Sequence, residues 1–205
     1  MRFLPAGPAA VLVEVDDLDQ ALGIQAEIER RRAAGWAPSL VDVVAGARTI
    51  LLDGVGDLAA VASDIRSWPI SQAPREAGPV VEIACAYQGP DLAEVAAQWQ
   101  VSVPEAIKIH TSAEHRVAFC GFGPGFAYIA GIGEQRSVTR RDSPRPAVPA
   151  GSVALGGPYT GIYPWPSPGG WQLIGHTEAA LWDPGREPAA LLSPGRRVRF
   201  VDAGP

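Results

Sequence analysis

Apolar and polar positions change period several times along the chain, and the first third alternates between two of them. Residues 10–15 (AVLVEV) form a nearly unbroken apolar run, the pattern of a buried strand. Asp16 or Asp17 then offers an N-cap. Leu18, Ala21, Leu22 and Ile28 recur at helical spacing through about Ala33, leaving Glu27, Glu29 and Arg30 to Arg32 on the solvated face. Gly35 and Pro38 stop that helix. Residues 40–44 and 49–52 predict two strands around the turn Ala45-Gly46-Ala47, and Asp57 opens a second helix that ends before Pro69. With residues 79–87 as a further strand, the order is β-α-β-β-α-β, which predicts a ferredoxin-like layer of one sheet and two helices. Residues 69–79 hold three prolines and a glycine and read as a linker. This divides the chain into a small α+β domain, 1–78, and a second domain, 79–205.

The second domain has another pattern. Residues 91–98 read as a helix capped by Asp91. Ser102 or Val103 caps another, with Pro104 in its first turn. From His115 onward only short apolar runs remain, at 117–119, 153–155, 171–174 and 198–201, separated by turn residues. That spacing predicts a closed or sandwich-like, mainly β domain. Composition agrees: of 23 Gly and 20 Pro, 12 Gly and 8 Pro fall between Gly121 and Gly175. No helical bundle runs through such a stretch, because both residues break helix interiors. Collagen is excluded by the missing three-residue period.

Charge and cysteine narrow the function classes. The net charge is −5, and Lys108 is the sole lysine among 17 basic residues, which argues against nucleic acid as a partner. No apolar run approaches membrane-spanning length, and no basic-then-apolar leader opens the chain. Cys85 and Cys120 both lie in apolar runs and read as reduced core thiols of a cytoplasmic protein.

Candidate chemistry sits in the glycine-rich tracts and in one arginine loop. Dense glycine either lets backbone N–H groups approach a ligand or only supplies turns. Gly121-x-Gly123-x-Gly125 is not a dinucleotide fingerprint, and no Gly-x-x-x-x-Gly-Lys-Ser/Thr loop occurs. His110, His115 and His176 lack metal-ligand spacing, so no metal is expected. His110, before Thr111 and Ser112, fits either a general base or a satisfied structural histidine. Arg140, Arg141 and Arg145 share a proline-bounded loop with one acid, Asp142. Their forks suit a carboxylate or phosphate, or ion pairs within the fold.

Taken in order, YQGPDL (87–92), the step at 109–112, GFGPGFAYIAG (121–131), TRRDSPRPAVPAGSVALGG (139–157), TGIYPWPSPGGWQLIGHT (160–177) and LLSPGRRVRF (191–200) resemble the KipI family. Its members are also called the B-type subunits of 5-oxoprolinase, or allophanate hydrolase subunit 1. The resemblance implies an α+β N-terminal domain followed by a cyclophilin-like β-barrel. It also implies a KipA-type second subunit, the C-type component of 5-oxoprolinase or allophanate hydrolase subunit 2. With a third subunit, such complexes couple ATP hydrolysis to opening 5-oxoproline into glutamate, so the chain is expected to be inactive alone. Related pairs form the carboxyltransferase part of biotin-dependent urea carboxylase, and one member inhibits a sensor histidine kinase. The serine-lysine machinery of an amidase is not recognisable here. Met1 is the only methionine, so no Ala/Val-Met-Lys-Met site for biotin exists on this chain. Carried over by motif, His110, Tyr128, Arg140 and Arg145 become the expected catalytic groups. Gly125, Gly157, Thr160, Tyr163 and His176 become the expected contacts to a small carboxylated amide. His115, Tyr159 and Arg196 depart from the family pattern, where tyrosine, glutamine and aspartate are common.

Overall fold

The computed structural model describes residues 1–36, 39–70 and 79–204. The helix stop expected at Pro38 and residues 71–78 of the expected linker therefore lie outside the described residues. The chain divides into two compact units, Met1–Ala77 and Gly78–Pro205.

In the first unit, β1 (Arg2–Pro5) and β2 (Ala10–Glu14) form a hairpin, followed by α1 (Leu18–Ala33), β3 (Asp42–Ala45), β4 (Thr49–Asp53) and α2 (Leu58–Ser67). The sheet is antiparallel in the order β1-β2-β4-β3. Alternation along β2 and β4 turns Val11, Val13, Ile50 and Leu52 to one face, where Ile24 and Ile28 of α1 and Val61 and Ile65 of α2 cover them. Each such side chain contributes about 1.5–3 kcal/mol by leaving water. Asp17, not Asp16, caps α1 by accepting from the Gln20 N–H at 2.8 Å. Asp57 caps α2 by accepting from Ala59 and Ala60. The β-α-β-β-α-β order does not form. The sheet position beside β2 is filled by Arg2–Pro5, because a short connection closes that hairpin. The run at 79–87 goes to the second unit instead.

There, β5 (Val80–Cys85) leads into α3 (Leu92–Gln98) and α4 (Val103–Ser112). Then follow β6 (His115–Cys120), β7 (Ala127–Ala130), a 3₁₀ turn at Glu134–Arg136, β8 (Arg145–Val148), β9 (Ser152–Gly156), β10 (Tyr159–Ile162), β11 (Ser167–Gly169), β12 (Gln172–His176) and β13 (Arg197–Asp202). Among the described residues, seven strands form one sheet in the order β12-β9-β10-β7-β6-β13-β5, and β8 pairs with β11 separately. Only the β13–β5 pair is parallel in the large sheet. Its two edges meet: Ala86, just past β5, bridges His176 at the end of β12, with N–H···O distances of 2.8 and 3.0 Å. Gly89 and Asp91 extend this seam by donating to the carbonyls of Ile174 and Leu173. The result is a nearly closed, mainly β barrel, which removes most free sheet edge. No helix among the described residues is long and apolar enough to cross a membrane.

Candidate active site

The glycine-rich tracts converge on one aromatic cleft. Phe126 and Tyr128, two residues apart at the start of β7, share a face of the sheet. Tyr163 follows β10, and Trp171 precedes β12. Their rings meet edge to face, with centroids 5.4 Å apart for Phe126–Tyr163, 5.7 Å for Phe126–Trp171 and 5.5 Å for Tyr128–Trp171. Such packing fixes ring orientation beyond simple burial. Trp171 lies this low because glycine faces it: a Cβ on Gly156 would stand 2.5 Å from its indole, and one on Gly161 2.9 Å away. These rings, with Phe122, Pro168 and the glycines at 169–170, enclose a cavity of 160 Å³. Arg140 supplies its one cationic side chain, stacked over Trp171 at 5.7 Å from the ring centroid. Burial raises the Tyr163 phenol above its ordinary pKa against the opposing pull of Arg140 and Arg145, so it stays a neutral donor. At the rim, Phe122 is 60% exposed with φ +68°, at the centre of a tight turn closed by Gly123 N–H on the Gly121 carbonyl at 2.7 Å. A positive φ at an aromatic residue stores strain on the order of 1–3 kcal/mol.

Arg145 and His176 face a different cavity, of 550 Å³, beside the barrel seam. Arg145 is turned away from the aromatic cleft: its Nη2 donates to Asp91 Oδ1 at 2.8 Å, and Arg141 Nη1 donates to the same oxygen at 3.2 Å. The Arg145 Nη1 is shut off from solvent with no partner among the described residues. His176 is exposed and sits 2.7 Å from Glu178.

His110 and Thr160 occupy the barrel core and line neither cavity. His110 is 1% exposed and packs on Phe200 at 4.5 Å. Its two ring nitrogens are satisfied by Tyr87 OH at 2.7 Å and Thr160 Oγ1 at 3.0 Å. His115 donates from Nε2 to the His110 carbonyl at 2.7 Å. Desolvation pushes the pKa of both imidazoles down, so the pair is neutral. The expected catalytic His110 and substrate contact Thr160 are thus placed against each other in the core, outside both cavities. Of the glycine contacts, Gly125 (φ +79°) packs by Trp182 and Gly157 (φ +59°) bonds with Val138, both outside the two cavities. The structure thus brings Tyr128, Arg140 and Tyr163 together at the aromatic cleft, Arg145 and His176 at the seam cavity, and His110 and Thr160 in the core.

Phe126 and Trp171 line the cleft and Asp91 pairs with two arginines of the neighbouring loop; all three lie within the family-like tracts but were not among the expected site residues. For Phe126, its two-residue spacing from Tyr128 is a usable signal. Asp91 reads in sequence as a helix cap, yet its side chain makes no capping bond. Among the described residues, no group of three or more His, Cys, Asp or Glu is placed to hold a metal ion.

A mainly β barrel bearing this cleft is of the carboxyltransferase type, since the family model "carboxyltransferase domain, subdomain C and D" matches residues 1–192. The chain is similar to the 5-oxoprolinase B-type subunit of Escherichia coli O157:H7, at 44% identity over 171 residues covering 80% of this chain and 78% of that protein. It therefore belongs to the carboxyltransferase subdomain C and D family, and within it to the KipI group of 5-oxoprolinase B-type subunits. The crystal structure of TTHA0988 superposes with a TM-score of 0.79 at 35% identity, covering 95% of this chain but only 40% of that one. The urea amidolyase of Kluyveromyces lactis, at 18% identity and a TM-score of 0.69, covers 98% of this chain and 15% of that one, a likeness of fold alone.

Proposed function

We propose that this chain is the subunit of a multi-subunit, ATP-dependent 5-oxoprolinase that shapes the site for the cyclic amide, acting with a KipA-type subunit in the cytoplasm. The observation that carries the reading is Arg140 standing over Trp171 at a 160 Å³ aromatic cleft. That volume lies below the roughly 300–1,000 Å³ of sites for drug-sized ligands and suits a single small ring. The lactam ring stacks against the aromatic walls, which exclude water. Arg140 takes its carboxylate by a charge-assisted fork. The neutral Tyr163 phenol donates to the amide oxygen, where negative charge develops as the ring opens. The barrel is read as cyclophilin-like on the strength of the family resemblance.

ATP fits a partner better than this chain. The aromatic cleft is too small for a nucleotide. A 740 Å³ cavity carries Arg140 and Arg141 but is also lined by Asp91, Glu94 and Asp142, which oppose a triphosphate. The 550 Å³ cavity offers one arginine already paired with Asp91, and the sole lysine, Lys108, is exposed on α4. No step is therefore assigned to ATP on this chain. A second reading, a carboxyltransferase component served by biotin from another chain, is favoured by the family model that matches residues 1–192.

Reconstitution with the partner subunits tests the proposal through 5-oxoproline-dependent ATP hydrolysis and glutamate release. Arg140→Met should lower kcat/KM about ten- to hundredfold, the value of one charged hydrogen bond at about 1.5–3 kcal/mol. A complex that leaves 5-oxoproline and ATP untouched, yet moves a carboxyl group from carboxybiotin, supports the second reading instead.

A further inference from the structure

Three arginines crowd into residues 140–145, yet only Arg140 reaches the aromatic cleft. The backbone around it is held on both sides. Thr139 receives Gln172 Nε2 on its carbonyl and gives its N–H to Gln98 Oε1, both at 3.0 Å, and the Arg141 N–H donates to the Gly170 carbonyl at 2.8 Å. The side chains of Arg141 and Arg145 are drawn the other way, onto one oxygen of Asp91. That carboxylate is itself immovable: Asp91 is 6% exposed, its Oδ2 accepts from the Leu173 N–H at 2.7 Å, and its own N–H donates to the Leu173 carbonyl at 3.0 Å. It is the one buried acid among the described residues, and its seam partner Leu173 lies two positions along from Trp171.

We infer that Asp91 is a positioning residue for the candidate active site: it clamps Arg141 and Arg145 to the seam, so that Arg140 alone is aimed over Trp171 into the cleft. A buried carboxylate with two guanidinium partners and a backbone N–H is a rigid anchor, because breaking any of these bonds leaves a desolvated charge short of a partner. Without it, three like charges on one loop repel and spread into solvent, and Arg140 loses its fixed direction. The kinetic part of this inference rests on the 5-oxoprolinase reading; the geometric part does not.

The experiment has two arms. In the full chain alone, NMR reads the Arg140 side-chain protons, which the Trp171 ring current shifts upfield; Arg140→Met assigns the signal by removing it. Asp91→Asn, nearly isosteric, should collapse that shift while the chain still folds, and a folded Asp91→Asn chain with the shift intact overturns the inference. If Asp91→Asn does not fold, Arg141→Gln takes its place, removing one clamp from the surface. Loss or broadening of the Arg140 signal then supports the clamp, and an unchanged signal overturns it. In the reconstituted complex, Asp91→Asn should raise the KM for 5-oxoproline roughly tenfold, with no further rise when it is added to Arg140→Met. Additive losses mean that Asp91 does not act through Arg140 and overturn the inference. Should the complex ignore 5-oxoproline, the NMR arm still decides, so failure of the substrate reading is distinguishable from failure of the clamp.

Discussion

Replacing Gly161 by alanine adds one methyl group at the back of the aromatic cleft and changes nothing else. Its φ lies outside the left-handed region, so alanine is permitted by the backbone. The new Cβ, however, would stand 2.8 Å from the Phe126 ring and 2.9 Å from the Trp171 ring, both of them buried. Ordinary contact needs roughly half an ångström more on each side, so both rings must move within a packed wall. Overpacking of this kind costs about 1–3 kcal/mol. At roughly 2–4 °C per kcal/mol for a chain of this size, Tm should fall by about 2–12 °C. Trp171 is also the surface on which Arg140 rests, so the displacement should reach the site and raise the KM for 5-oxoproline several-fold in the complex. Gly157→Ala is the contrast. At φ +59° with no atom within 4 Å of its added Cβ, it costs about 1–2 kcal/mol of left-handed backbone strain and should leave KM unchanged. Thermal melts, near-ultraviolet circular dichroism of the aromatic cluster and steady-state kinetics on the two variants separate these effects. If Gly161→Ala leaves Tm and the aromatic spectrum unmoved, or if Gly157→Ala alters KM as much, the glycines only make turns and do not shape the cleft.

The buried imidazole pair makes stability depend on pH. Burial depresses the folded pKa values of His110 and His115 below 6.5, while the unfolded chain takes up protons near that value. The stabilisation is complete above about pH 6.5 and is lost as pH falls toward the depressed folded values, by up to about 1.4 kcal/mol per pH unit for each imidazole. Tm followed from about pH 8 to pH 5 should drop in the lower part of that range; a flat profile refutes the neutral pair. For the thiols, burial pushes Cys85 up to about 12 and raises Cys120 as well. Iodoacetamide near pH 8 should therefore leave the native chain unmodified and label both cysteines once it is unfolded, counted by mass spectrometry; rapid labelling of the native chain contradicts this.

How much of the fold was legible depended on whether its cause was local. The helices opened by Asp17 and Asp57 were, because a cap and a 3.6-residue stripe are contained within the helix itself. So were the short strands around Val117, Val153, Leu173 and Phe200, whose apolar runs lie between turn residues. Strand pairing was not. The run from Val80 reads as a strand wherever it pairs, and its parallel partner, Arg197–Asp202, lies more than a hundred residues on. Arg2–Pro5 holds no alternation at all; it is a strand because the hairpin with Ala10–Glu14 makes it one. Ala127–Ala130 was hidden by its setting, four strand residues inside a tract whose glycines read as turns.

The site divides along the same line, and the arginine loop shows why. Three arginines within six residues, answered locally by the exposed Asp142 alone, carry more charge than the loop can balance. For Arg141 and Arg145 a second acid comes from elsewhere in the fold, and because it is buried it holds them better than an exposed pair would. Which acid this is depends on the barrel seam, where the main chain of Asp91 pairs with Leu173 and delivers its carboxylate beneath arginines 50 and 54 positions further along the chain. The local signal at Asp91, an aspartate opening a helix, points to capping and so misdirects. His110 misdirects in the opposite sense: beside two hydroxyl residues it looks reactive, yet the turn of α4 carries it inward to Tyr87 and Thr160. The charge excess of the loop is visible in the sequence, but whether a ligand or a distant acid answers it, and that Asp91 takes Arg141 and Arg145, is decided by the chain topology.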